Sequence, residues 1–355
     1  MKFKKQTILI ISPESWEAQF VSKHHYAITL SKYNKVYFLN PPTDKNAIKE
    51  SEYKNLYIVD YISIKGLRFL PKFLRVYLDK RFINRLESRI NLSFDVVWLF
   101  ENSRFYNMEF ALDRLKIYHQ VDLIQNFYPK EASISSDISF CTTDSIKNRL
   151  LKYSSNIYKI DHGLSLIDIP KIIKKSNDIE VACVGNLDRK YFDIELISKL
   201  IDTNIDINFN FIGKCSSNNI LYLKYKDYKN VKFYGKVASK DILPILSTMD
   251  ILILVYRYTN QEEKDDLSNP HKLMEYLASG KICVATFTKE YEYKRDLIKM
   301  VDNNREYLDA FREVIVNLDY YNGLDLQSKR IAFAHSNTYP KQIEKIERLI
   351  GDSLC

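Results

Sequence analysis

Lys272, Glu275 and Ser279 lie at i, i+3 and i+7 of the run Leu267-Ser-Asn-Pro-His-Lys-Leu-Met-Glu-Tyr-Leu-Ala-Ser-Gly-Lys281. That spacing puts the three side chains on one face of a helix. Asn269 suits an N-cap, Pro270 the first helical position and Gly280 a left-handed close, so the segment predicts a helix over 270–279. A helix start beside a lysine offers N–H groups and positive charge to a diphosphate, with Asn269 and His271 at its entrance. A carboxylate one turn in can accept hydrogen bonds from two sugar hydroxyls. Taken alone, the same residues also describe a solvated Lys–Glu pair on a capped helix.

Other reactive types collect where strands are expected to end. His119 lies within the run 117–121 and Asp122 just after it, and Glu101 and Asn102 follow 96–100. Each carboxyl or imidazole could act as a general base there. Residues three apart in a strand face opposite ways, so joint action requires Asp122 to sit already in the loop. Ser22, Lys23, His24 and His25 open an expected helix after a loop holding Trp16, equally a solvated helix start or a ligand-facing one. His162, in Asp161-His-Gly163, fits a structural turn better than a catalytic role.

The elements that position these groups alternate short β-branched or aromatic runs with longer amphipathic ones, the pattern of βαβ units around parallel sheets. Strands are expected at 7–12, 36–39, 56–62, 96–100, 117–121, 138–142 and 157–160, then 181–185, 209–213, 231–235, 251–255 and 282–286. Helices are expected at 21–32, 70–88, 105–112, 144–152, 193–201, 239–247 and 306–318, besides 270–279. The organisation predicted is a domain 1–166, a linker 167–178 with Pro170 and a Lys171, Lys174, Lys175 cluster, a domain 179–335, and a terminal helix in 336–355 that packs back on the first domain. Ligands of such sheets bind beyond the carboxyl ends of the strands.

Composition narrows the chemistry. The 355 residues include only 8 glycines, so neither G-x-G-x-x-G nor a P-loop can be written anywhere. Five scattered cysteines give no disulfide framework and no C-x-x-C, which fits a reducing cytoplasm. The net charge of +8 arises in residues 1–166, with 25 Lys and Arg against 17 Asp and Glu; the remainder is balanced at 28 each. Lys65–Arg89 is both basic and apolar, a candidate contact for an anionic membrane surface or simply a solvated helix face. It carries no nucleic-acid recognition motif.

The run 267–281 resembles the "P-x-K-x-x-E-Y-L-A-x-G-K/P" nucleotide-binding segment of GT-B glycosyltransferases related to glycosyltransferase family 4. Val184-Gly-Asn-Leu-Asp-Arg-Lys-Tyr-Phe-Asp193, Phe209–Gly213, Val231–Gly235 and Ala334-His-Ser-Asn-Thr-Tyr339 are similar to further family motifs. Less sharply, Ser12–Ala27 with Lys35–Pro42 is similar to bacterial capsular and surface polysaccharide glycosyltransferases. The resemblance implies an α/β GT-B fold, two Rossmann-like doubly wound domains facing a central cleft, and transfer from a UDP- or GDP-sugar to a saccharide or lipid-linked saccharide acceptor, with retention. It implies donor contacts at Glu275 (ribose), Lys272, Arg189, Lys190, Asn269, His271, Gly185, Asn186, Gly213 and Lys214. Trp16, Ser22, Lys23, His24 and His25 would meet the acceptor, and His119, Asp122 and Glu101 are the catalytic candidates. No cofactor and no metal are called for. The family's E-x7-E pair is half present, because its first glutamate falls at Leu267; a nucleotide-sugar 2-epimerase or a silent GT-B partner subunit are the alternatives. The expected location is the cytoplasm, with peripheral attachment to its membrane.

Overall fold

The computed structural model describes residues 3–18, 20–123, 127–165 and 178–354. The expected linker lies outside the described residues except for Asp178. The chain forms two units, Met1–Gly163 with Tyr339–Cys355, and Leu164–Thr338.

In the first unit, eight strands order as β3-β4-β2-β1-β5-β6-β7-β8, with β1 at Thr7–Ile11, β2 at Lys35–Leu39, β3 at Ala47–Glu50, β4 at Leu56–Asp60, β5 at Val96–Leu99, β6 at Leu115–Gln120, β7 at Ile138–Cys141 and β8 at Ile157–Lys159. All neighbours pair in parallel except β3 with β4. A parallel strand covered on both faces must be apolar on both, which is why β1 reads Thr-Ile-Leu-Ile-Ile without alternation. Ile8 and Ile10 enter one core with Trp98 and Phe100; Leu9 and Ile11 enter the other with Ile83 and Leu86 of the helix Lys72–Ile90. The helix Tyr339–Leu354 closes the first of these cores with Tyr339, Ile343, Ile346 and Ile350. Gly163 makes room for it: a Cβ there would stand 2.6 Å from the Tyr339 ring.

The second unit orders as β11-β10-β9-β12-β13-β14, all parallel, with β9 at Glu180–Val184, β10 at Asn208–Ile212, β11 at Val231–Gly235, β12 at Ile251–Leu254, β13 at Ile282–Ala285 and β14 at Lys299–Met300. The chain winds outward from β9 to β11, then returns to place β12 on the other side of β9. The switch point is therefore between β9 and β12, whose ladder pairs only Val181 with Ile251 and Ala182 with Leu252. Beyond these pairs the two strands part.

Several elements differ from the sequence expectation. Residues 105–112 hold only the 3-10 turn Met108–Ala111, and the expected 270–279 helix is assigned at Lys272–Ala278. Helices at Pro129–Ser135, Ile220–Tyr225, Gln261–Asp266 and Leu324–Ser336 were not anticipated.

Candidate functional site

Three glycines follow or end neighbouring strands of the second unit. Gly185 donates its N–H to Ile212 O at 2.8 Å, and Gly213 donates to Gly235 O at 2.8 Å. At Gly213, φ is +130°, and a Cβ would stand 2.0 Å from Gly185 O, so only glycine fits this approach. Against the same turn comes the helix Lys272–Ala278, whose Lys272 Cε lies 3.3 Å from the Cβ position of Gly185. The side chains of Lys272 and Glu275 are half-buried and make no hydrogen bond or ion pair among the described residues. Burial pushes the Glu275 carboxyl up to about 7, against the opposing pull of Lys272. Burial pushes the Lys272 ammonium down, countered by Glu275 and Cys183 and reinforced by Arg189. A recessed lysine, a nearby guanidinium and a carboxylate are thus held beside the Gly185–Gly213 turn at a switch point.

The helix does not start as the sequence suggests. Its cap position is His271 with no side-chain cap, and the first turn closes through Leu273 N to Pro270 O at 3.0 Å and Met274 N to His271 O at 3.1 Å. Asn269 is buried just before it and His271 is exposed. Gly280 does take the left-handed close, with φ +76°. Arg330, fully buried, donates to Gly280 O at 3.0 Å and to Leu297 O at 2.9 Å, tying down the helix end.

The loop after β9 is shaped internally. Asn186 Oδ1 accepts from Asp188 N at 3.2 Å. The Asp188 carboxylate collects Ser216 N (2.9 Å), Ser216 Oγ (2.6 Å), Asn219 Nδ2 (3.2 Å) and Lys214 Nζ (3.3 Å). Those donors hold its carboxyl well below the usual range. Lys214 therefore serves a clamp between loops, whereas Arg189 and Lys190 are exposed. Leu267, where a carboxylate was sought, packs against the apolar core.

Residues 167–317 match the family model described as Glycosyl transferases group 1. The second unit holds a group 1 glycosyltransferase domain. The whole chain superposes on solved GT-B structures. A sucrose-phosphate synthase from Thermosynechococcus elongatus matches with TM-score 0.69 at 11% identity, covering 98% of this chain and 99% of that one. A glycosyltransferase from Rickettsia africae matches at 0.69 and 14%, covering 99% of each. Anabaena HepE, solved with UDP and glucose, matches at 0.66 and 13%, covering 98% and 99%. At such identities the likeness establishes the fold, and the domain match makes the chain a glycosyltransferase. No curated protein matches the sequence.

In the first unit of this glycosyltransferase the nominated residues divide. Lys23 is 1% exposed, 2.5 Å from Glu14, and its charge reaches both Asp122 and His119. Asp122 follows the end of β6, and burial pushes its carboxyl up. Ser22 Oγ meets His162 Nδ1 at 3.0 Å. The structure thus brings Ser22, Lys23, Asp122, His119 and His162 into one neighbourhood. His119 is fully buried, stacked on Phe100 with ring centroids 5.0 Å apart, and desolvation lowers it to about 3; it is a neutral ring at working pH.

Four candidates are structural instead. Trp16 is 4% exposed in an aromatic group with Phe20, His24, Phe38 and Tyr53, so it cannot meet an acceptor from there. His24 spends both nitrogens on backbone, Nδ1 accepting from Val21 N at 3.2 Å and Nε2 donating to Ser15 O at 3.0 Å. Glu101 accepts from Ser103 N and Oγ, Arg104 N and Phe105 N, so its carboxylate is consumed in closing its own loop. His25 stacks on Tyr339 with centroids 5.0 Å apart, and burial lowers it to about 4.

Proposed function

We propose that this glycosyltransferase moves a sugar from a UDP- or GDP-sugar to a saccharide or lipid-linked saccharide acceptor in bacterial surface polysaccharide assembly, with retention and without a metal. The observation that carries the donor half is the recessed Lys272–Glu275 pair beside the Gly185–Gly213 contact. Glu275, once ionised, accepts from the ribose hydroxyls. Lys272 and Arg189 take the phosphates, and their charge stabilises the nucleoside diphosphate as it leaves. Asp122, part-buried just past β6, is proposed to meet the acceptor, with the buried charge of Lys23 behind it. Glu275→Ala should remove most transfer activity and weaken UDP or GDP binding in calorimetry; wild-type affinity in that variant refutes the donor assignment.

We further propose that the enzyme works in the cytoplasm against the membrane. Among the described residues no helix is long and apolar enough to cross a bilayer. Phe69, Phe73 and Tyr77 are 77%, 70% and 56% exposed, near the exposed Lys65, Arg68, Lys72 and Arg81. Aromatic rings among cations suit an anionic lipid surface. Arg75 does not belong to this face: it is buried, its guanidinium 4.3 Å from the Tyr106 ring centroid, and donates to Ser103 O. Phe73→Ser with Arg81→Glu should abolish sedimentation with phosphatidylglycerol vesicles; unchanged sedimentation overturns this attachment.

A further inference from the structure

The proposed reaction leaves Tyr276 unused, yet its phenol fills the gap at the switch point. Past the Ala182–Leu252 pair, β9 and β12 no longer bond each other. Val184 N–H and Ile253 C=O would be left as buried, unpaired backbone groups, each costing free energy. Tyr276 Oη satisfies both, accepting from Val184 N at 2.8 Å and donating to Ile253 O at 3.3 Å. Its side chain is fully buried, and burial keeps the phenol protonated, as a group that donates and accepts at once must be.

The position of this bridge matters. Val184 precedes Gly185, the residue pressed against Gly213 and beside Lys272; Tyr276 itself follows Glu275. The helix Lys272–Ala278 has only seven residues and no side-chain cap, so its placement depends on tertiary ties. Its apolar residues Leu273, Met274 and Leu277 hold it to the sheet without fixing a height. The phenol supplies a directional tie.

We propose that Tyr276 is a positioning residue for nucleotide binding: its hydroxyl sets the spacing between the Val184–Gly185 turn and the Lys272–Glu275 face, the spacing a nucleoside diphosphate spans. This rests on the reading that this face holds the donor. Tyr307 provides the control, since its buried hydroxyl donates to Val284 O at 2.6 Å and approaches Leu254 O at 3.5 Å, between β12 and β13, away from the β9 turn. Tyr276→Phe and Tyr307→Phe should both lower the melting temperature. Only Tyr276→Phe should weaken UDP or GDP binding in calorimetry, about tenfold, the worth of one net hydrogen bond to an aligned site. Donor KM should rise more than kcat falls. Equal nucleotide affinity in the two variants overturns the positioning role while the donor reading stands. A wild-type protein that binds neither UDP nor GDP overturns both. Should Tyr276→Phe not fold, hydrogen exchange on the wild type decides: nucleotide should slow exchange at the Val184 and Gly185 amides, and unchanged rates refute the role.

Discussion

Replacing Glu275 with glutamine should stabilise the protein in a pH-dependent way while it damages binding. The carboxyl titrates near 4.5 in an unfolded chain and at about 7 in the fold, chiefly through burial. Between those values the native state holds a proton that the unfolded state has lost, so stability falls as pH rises through this window. A difference of roughly 2.5 pH units at about 1.4 kcal/mol each sets a ceiling near 3 kcal/mol, reached above pH 7. Glutamine has the shape of the neutral acid and never incurs that cost. In thermal melts Glu275→Gln should match wild type at pH 4–5, pull ahead between pH 5 and 7, and lead above pH 7 by at most roughly 6–12 °C. UDP or GDP affinity should drop at the same time. A constant offset at every pH, or a variant less stable at pH 8, would refute the argument that the group is desolvated and unpaired. The combination of higher stability with lost binding marks a group kept for its ligand.

Gly213→Ala must push its Cβ away from Gly185 O and adopt a backbone strained for alanine; we expect a loss of roughly 3 kcal/mol or more and loss of nucleotide binding. A melting temperature within 2 °C of wild type, on the order of less than 1 kcal/mol, would contradict it. Neither ring nitrogen of His119 has a hydrogen-bond partner among the described residues. His119→Phe keeps the stack on Phe100 and removes two desolvated polar atoms, so it should hold or raise stability by about 1–3 kcal/mol in chemical denaturation; destabilisation would mean that the nitrogens do have partners.

The sheets were legible because buried parallel strands must be apolar on both faces, as in Ile251–Leu254, and because strand ends that approach closely need glycine. The edge strand Ala47–Glu50 was not, since Ala-Ile-Lys-Glu carries no such run. The helix Leu324–Ser336 hid for a related reason: its buried side is Arg330 and Ala334, not an apolar stripe. The Lys272–Glu275 face followed from helical spacing, but the helix start did not, because the turn at Pro270 is closed by backbone carbonyls. His24 and Glu101 looked reactive from their residue types. Apart from the Ser103 hydroxyl on Glu101, their hydrogen bonds run to backbone amides and a carbonyl nearby, and no side-chain pattern encodes those partners. Tyr276 and Arg330 were missed because each bonds main-chain atoms far away in sequence.

The placement of Tyr339–Leu354 in the first unit has a consequence for biosynthesis. A ribosome makes the strands of that unit first and the helix that completes one of its cores last, while the second unit is a single continuous stretch. The second unit can therefore finish folding before the first, reversing the order in which they begin. Until then Ile8, Ile10 and Tyr26 lack the cover of Ile343 and Ile346, so the nascent chain carries an open apolar face until that helix emerges. A chain stopped at Thr338 should keep a cooperatively melting second unit and gain binding of a hydrophobic dye; a fully folded first unit in that fragment would disprove this order.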